Sequence, residues 1–377
     1  MATLLTACQL VTIDYVYLAG SSGIQGFAVD SQSGALRSGV PTVASGGNKP
    51  VALALSSDYA NLYVANADND TVVHFALDAN GVLTKKDSIT LPGPPAAIAV
   101  NHANSYLYVA YGSTTASMAE YSLSSGAIGS AVATEPLTVP GFATDTLIPT
   151  GMSVLANNEA VYVCAYDQSA YNPGGTATSS ANPGWVFGFG VGSGGALTAS
   201  TASPYQTGIK PSGIAADPTS RFVYVTDYAS NQLVAYGVTS GSTLNFLLSG
   251  PFKTGSEPSA ISIDPRGKYV YVSNALDSSI SAYTIDLATG IPSSVVNVTG
   301  SQINATGTEP VAVAVDPALG RFVYTANYLD DTISGFQLNP DTGALQPSQA
   351  TPYPAQSHPT AIAIVPHGNH SLETTTP

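Results

Sequence analysis

Seven times along the chain a short apolar run opens on a proline, and the residues just ahead of those prolines are Lys49, Pro94, Ile148, Lys210, Glu257, Glu309 and His358. Five of the seven are ionisable, in a chain with only 9% Asp, Glu, Lys and Arg. Imidazole and carboxylate side chains exchange protons near neutral pH, so His358 with Glu309 or Glu257 makes the best general acid/base set in the sequence. Lys49 and Lys210 could receive an anion. A second group follows each run, with Tyr166, Asp227, Tyr228, Asn327 and Tyr328 accompanied by Asn66, Asp68, Asp70, Tyr111, Asp167, Asn274, Asp277, Asp330 and Asp331. Together they describe an acidic, tyrosine-rich rim suited to a small molecule or a glycan. Trp185, the only tryptophan, ends a long insertion beside that rim. A plainer reading stands alongside, because Gly-x-Glu-Pro is a common solvated turn, Asp and Asn are ordinary turn residues, and a lone rim histidine is often only solvated. His74, His102, His367 and His370 fall in a strand, a turn and the tail. The Asp/Asn clusters lack the spacing of a calcium loop, and no nucleophile elbow, zinc motif, phosphate-binding glycine loop or paired cysteines occur, so neither a metal nor a cofactor is expected.

Equivalent positions need equivalent elements. The prolines at 50, 95, 149, 211, 258, 310 and 359 are separated by 45, 54, 62, 47, 52 and 49 residues. Self-similarity at this period with strand signals and no helical period predicts four-stranded propeller blades. The stretch PVAVAVDPALGRFVYTAN from Pro310 shows the unit: a proline-led inner strand of large and small residues, a turn, and a second strand bearing a tyrosine. That tyrosine is Tyr324, and its counterparts are Tyr63, Tyr108, Tyr162, Tyr224 and Tyr271. A third strand carries Phe75, Tyr121, Phe189, Tyr236, Tyr283 or Phe336, and a glycine turn (Gly81, Gly126, Gly195, Gly241, Gly290, Gly343) that calls for positive φ leads to the fourth. Six complete units leave two remnants that complement each other. The N-terminus supplies three strands, with Tyr17, Phe27 and Gly34, and the C-terminus supplies PTAIAIVP. The expected fold is therefore an all-β, seven-bladed propeller over 14–366 whose last blade pairs the two ends of the chain, hiding sheet edges. Residues 1–13 read as a signal remnant or tether and 367–377 as a polar tail.

A net charge of −14, with four Arg and six Lys, speaks against nucleic acid or an anionic membrane as partner. The run Leu5-Thr6-Ala7-Cys8 is like a lipoprotein lipobox, which points to lipidation at Cys8, a lipid anchor and an extracytoplasmic setting, although no basic segment precedes it. Cys164 reads as a buried small hydrophobe.

Phrases such as DPRGKYVYVSN and PVAVAVDP, followed by a third strand and a TG turn, resemble the YVTN repeat and the seven-bladed lactonase family, with its 6-phosphogluconolactonase-like and muconate-cycloisomerase-like propellers. The resemblance spans nearly the whole chain and implies the fold; architecture does not fix activity. It also implies a His or Glu acid/base and arginines that hold the substrate's carboxylate or phosphate. Here Arg221, Arg266 and Arg321 belong to turns on the opposite face and Arg37 to an outer strand, so no arginine is expected at the mouth. The residues alone favour a non-catalytic extracytoplasmic module that binds or scaffolds a small molecule, glycan or protein through its axial face. The alternative is a lactonase-type hydrolase or isomerase at that mouth. If Cys8 is lipidated, Cys8→Ala should move the protein out of the membrane fraction, and unchanged fractionation would remove the anchor.

Overall fold

A computed structural model describes residues 11–112, 116–140, 147–169, 184–368 and 375. Cys8 and the segment 172–182 of the long insertion lie outside the described residues. Seven antiparallel sheets are present. Blade 1 joins Thr12–Gly20, Gly23–Asp30 and Leu36–Val43 to Ala361–Pro366, which is its innermost strand. The register, Asp14 opposite Pro366 through Ala19 opposite Ala361, closes the ring with the two ends of the chain as the repeat count predicts. Blades 2 to 7 follow in sequence, with inner strands Pro50–Leu55, Pro95–Val100, Leu147–Val154, Pro211–Ala216, Pro258–Ile263 and Pro310–Val315. Five of these begin on the proline itself, where a missing N–H costs no ladder bond. No described helix is long and apolar enough to cross a membrane.

In blades 2 to 7 the ladder slips by one residue immediately after the proline, as between Pro211 and Gly213 or Pro258 and Ala260, and in blade 1 Thr360 takes the equivalent place just ahead of the paired strand. The residue released by this bulge turns its side chain toward the next blade. Thr150 Oγ1 donates to the carbonyl of Pro211 at 2.7 Å, Ser212 Oγ to Pro258 at 2.5 Å, Ser259 Oγ to Pro310 at 2.5 Å, and Thr360 Oγ1 to Pro50 at 2.7 Å. Inner strands are thereby laced around the axis at the end where each begins.

The core is divided into wedges. Each apolar cluster among the described residues joins two neighbouring blades: Val16, Phe27, Phe322 and Tyr324 between blades 7 and 1, and Tyr63, Val72, Ile98 and Val109 between blades 2 and 3. The second-strand tyrosines, Tyr17, Tyr63, Tyr108, Tyr162, Tyr224, Tyr271 and Tyr324, are fully buried. Six donate their hydroxyl to a carbonyl in the third-to-fourth-strand turn of the next blade: Tyr17 to Gly81, Tyr63 to Gly126, Tyr162 to Ser242, Tyr224 to Gly290, Tyr271 to Gly343 and Tyr324 to Gly34, at 2.6–2.8 Å. The turn glycines have the expected positive φ, 67° at Gly34 and 73° at Gly343.

Two features depart from the repeat. The fourth strand is continuous in blades 1 to 3 but split in blades 4 to 7, as Leu197–Ala199 with Tyr205–Gln206 or Leu345–Pro347 with Tyr353–Pro354. In three of these four blades a proline (Pro204, Pro251 or Pro352) stands between the two segments, where it cannot donate to the ladder. The seventh tyrosine bond is also missing. Opposite the buried tyrosine, the third strand carries Gly26, Gly188, Ala235, Ala282 and Gly335 in five blades but His74 and Glu120 in blades 2 and 3. His74 is satisfied by Asp87 at 2.9 Å and Asn61 at 2.8 Å. Glu120 is fully buried against the Gly195 turn of blade 4, where a Cβ would collide with its Oε1. Neither Glu120 oxygen nor the Tyr108 hydroxyl has a partner.

Burial pushes Glu120 up to about 7. Asp14, on the closing blade, is likewise pushed up to about 8 by burial and the nearby Asp316, with Arg321 opposing. A carboxyl whose folded pKa is raised stays protonated in the native state while the unfolded chain ionises, so its effect on stability is absent below the unfolded value and grows as pH rises toward the folded one. Glu120→Gln should therefore gain stability relative to wild type by about 1.4 kcal/mol per pH unit between pH 4.5 and 7, levelling above. Urea titrations across that range check this, and parallel curves would show that Glu120 ionises without penalty.

Candidate active site at the axial mouth

The residues ahead of the inner strands gather at one end of the axis because those strands run side by side around it. Their carbonyls fix equivalent partners: Lys49 accepts from the amide of Ala67, Pro94 from Gly112, Lys210 from Tyr228, Glu257 from Ala275 and Glu309 from Tyr328, at 2.8–2.9 Å. Ile148 lies opposite Tyr166 in blade 4. His358 completes the set just before the closing strand of blade 1.

Around this opening the side chains form two groups on consecutive blades. The Lys210 ammonium lies 4.1 Å from the centroid of the Tyr228 ring and 5.6 Å from that of Tyr166. The Tyr228 hydroxyl donates to Glu257 Oε2 at 2.6 Å. Burial lowers the Lys210 pKa, and the Glu257 charge works against that shift. In the second group the Tyr328 and His358 rings lie 4.9 Å apart at 55°, and Ser357 Oγ is 2.8 Å from His358 Nδ1. The backbone is also unusual here. Glu257, Glu309 and His358 have φ of 56°, 56° and 52°, left-handed values that side-chain-bearing residues rarely adopt, in each case directly before a proline. Lys49, Ile148 and Lys210 do not share this conformation. The amides of two strained residues are held by the preceding blade, Glu257 N by Asn231 Oδ1 and His358 N by Asp331 Oδ1, both at 2.7 Å.

Other residues that the sequence places at the rim serve the frame. Asp227 is fully buried and accepts from the amides of Ile209 and Lys210 at 3.0 and 2.9 Å, so its carboxylate holds the turn that presents Lys210. Asn327 is buried too, with its amide donating to Thr332 Oγ1 and Ser334 Oγ. Asp167 caps its own turn through Ser169. Trp185 is only 6% exposed and packs with Leu137 and Leu147 between blades 3 and 4. Turn chemistry and mouth chemistry draw on the same residue types, which is why Asn231 and Ser357, now seen at the site, carried no distinguishing signal.

No group of three or more potential metal-ligating side chains exists among the described residues. All four arginines stand away from the mouth. Arg37 bonds Thr12 Oγ1 in blade 1, Arg221 the carbonyl of Leu287, and Arg266 the carboxylate of Asp264, while Arg321 opens a second strand at the far end.

The model of the family described as lactonase, seven-bladed β-propeller, matches residues 11–147, 195–299 and 242–364. The chain belongs to that family. Similar solved structures include the periplasmic gluconolactonase of Pseudomonas aeruginosa, 20% identical over 94% of this chain and 99% of that one, with a TM-score of 0.74. A Bacteroides fragilis protein provisionally named a 6-phosphogluconolactonase is 18% identical over 94% and 98%, with a TM-score of 0.74. Hydrazine synthase of Kuenenia stuttgartiensis is 15% identical over 90% and 99%, with a TM-score of 0.60. At such identities these likenesses establish the fold alone, and the last shows how different the named activities on it are. No curated protein matches the chain in sequence. Membership of the lactonase family supports the hydrolase alternative better than the binding or scaffolding module that the residues alone favoured.

The Tyr228 contacts should be energetically real. In a double-mutant cycle of Tyr228→Phe with Glu257→Gln, chemical denaturation should return a coupling of about 1 kcal/mol. Additive effects would mean that the two groups do not hold each other.

Proposed function

We propose that this protein is a lactone hydrolase acting at the axial mouth. The observation that carries the reading is the placement of Glu257, Glu309 and His358 on three consecutive blades, each in left-handed backbone ahead of a proline. Such conformations cost on the order of 1–3 kcal/mol each and cluster where structure serves chemistry. The three proton-exchanging residues of the mouth carry that strain, and four of the seven equivalent positions do not.

Hydrolysis adds water across the ring ester. With Nδ1 of His358 engaged by Ser357, Nε2 takes the proton of the attacking water as its oxygen bonds to the lactone carbonyl carbon. The resulting oxyanion is balanced by the Lys210 ammonium, held in place by the Tyr228 ring. The carbonyl carbon then releases the ring oxygen, which leaves as a hydroxyl after accepting from the histidine the proton taken from the water. The product is a hydroxy acid that ionises and frees one proton. An extracytoplasmic setting fits the reading of Cys8 and the periplasmic neighbour, and the Cys8→Ala fractionation above tests the anchor.

A pH-stat assay with δ-gluconolactone tests the proposal. His358→Ala should lower kcat by about a hundredfold or more. The melting temperature should move little, since an exposed side chain buries little apolar area. Lactone consumption no faster than the spontaneous rate with wild-type protein, or unchanged turnover in His358→Ala, would sink it.

A further inference from the structure

We infer that the mouth selects an uncharged sugar lactone and discriminates against its phosphorylated counterpart. This rests on the hydrolase reading and specifies its substrate class. The observation is the balance and commitment of charge around the opening. Three cations, Lys49, Lys210 and, farther out on a fourth strand, Lys253, share this end of the ring with seven carboxylates: Glu257 and Glu309 beside the inner strands, and Asp68, Asp70, Asp277, Asp330 and Asp331 in the turns that follow the second strands.

The cations are poorly disposed to hold a phosphate. Lys210, the ammonium that balances the single charge of the oxyanion, sits over the Tyr228 ring with Glu257 bonded to that ring's hydroxyl, so it sets one partly offset charge against the two of a phosphate. Lys49 is an exposed side chain on blade 2, and an ammonium on a flexible stem lacks the planar fork that grips a phosphate in two places. The guanidinium groups that supply such a fork are occupied elsewhere or lie at the other end of the axis. A dianion approaching this end meets a negative field that adds to the net charge of −14 on the whole chain.

An uncharged ring suits what is present. The half-buried Tyr166, Tyr228 and Tyr328 rings give the opening apolar surface for its C–H edges, and the carboxylate lone pairs left over from holding the amides of Asn48, Ser256, Thr308 and His358 can accept from its hydroxyls. The same field favours departure of the product, which carries the negative charge that hydrolysis creates.

The test compares δ-gluconolactone with 6-phosphogluconolactone in a pH-stat at low ionic strength and again in about 0.5 M salt, where screening shortens the reach of the field. The neutral lactone should have a kcat/KM at least about tenfold higher at low salt, and the ratio should shrink in high salt. Leu276 and Leu329, 67% and 61% exposed in the turns beside the mouth, take no part in the proposed chemistry. Leu276→Arg with Leu329→Arg should raise kcat/KM for the phosphorylated lactone and leave that for the neutral one unchanged. Equal or preferential use of the phosphorylated lactone at low salt would overturn the inference while leaving the hydrolase reading intact. If neither lactone is hydrolysed faster than in the His358→Ala protein, the hydrolase reading falls and the inference with it.

Discussion

A buried phenol that donates to a backbone carbonyl of the neighbouring sheet is the contact on which the rest of this ring depends. Blades of a propeller share no backbone ladder, so their relative angle rests on side chains. An apolar wedge alone is non-directional and would tolerate sliding. At six of the seven interfaces the tyrosine hydroxyl, buried where an unpaired donor would be costly, finds the turn carbonyl of the next blade, which fixes both spacing and tilt. The glycines of those turns belong to the same constraint. At Gly290 and Gly343, a Cβ would collide with an aromatic ring of the preceding blade. With the outer part of each interface set in this way, and the bulge hydroxyls lacing the inner strands, the residues ahead of the prolines have little freedom left.

This constraint explains what could be read in the sequence. Proline, tyrosine and glycine recur because the repeat needs each at one backbone position, so the period, the strand order and the joining of the chain ends were legible from residues alone. The mouth was legible in part. Residues ahead of the prolines are placed by the repeat itself, whereas Asp227 and Asn327 look from sequence like mouth residues and are framework groups. Whether a turn aspartate faces a ligand or its own backbone depends on one rotamer and two amides, which composition does not encode. The roles of His74, which the sequence places in a strand, and Glu120 were not legible for another reason: both depart from the repeat, and their meaning appears only when the third strands are laid side by side and the other five carry glycine or alanine.

Family membership and site geometry contribute different things. The family supplies the ring. This chain's own residues supply the strain at Glu257, Glu309 and His358 and an opening richer in carboxylates than in cations. A mouth of this kind keeps its lysine in check with an aromatic face and a neighbouring carboxylate, three blades away from an imidazole that is exposed to solvent.

Closure of blade 1 has a consequence for synthesis. A ribosome delivers the first three strands of that blade at the start and its innermost strand last, so throughout translation blade 1 lacks the inner edge that Ala361–Pro366 supplies and blade 7 has no neighbour on one side. His358 emerges only as that last strand does. A chain released before this point would lack both the closing strand and the imidazole, so the mouth is complete only in molecules whose synthesis has run past Pro366.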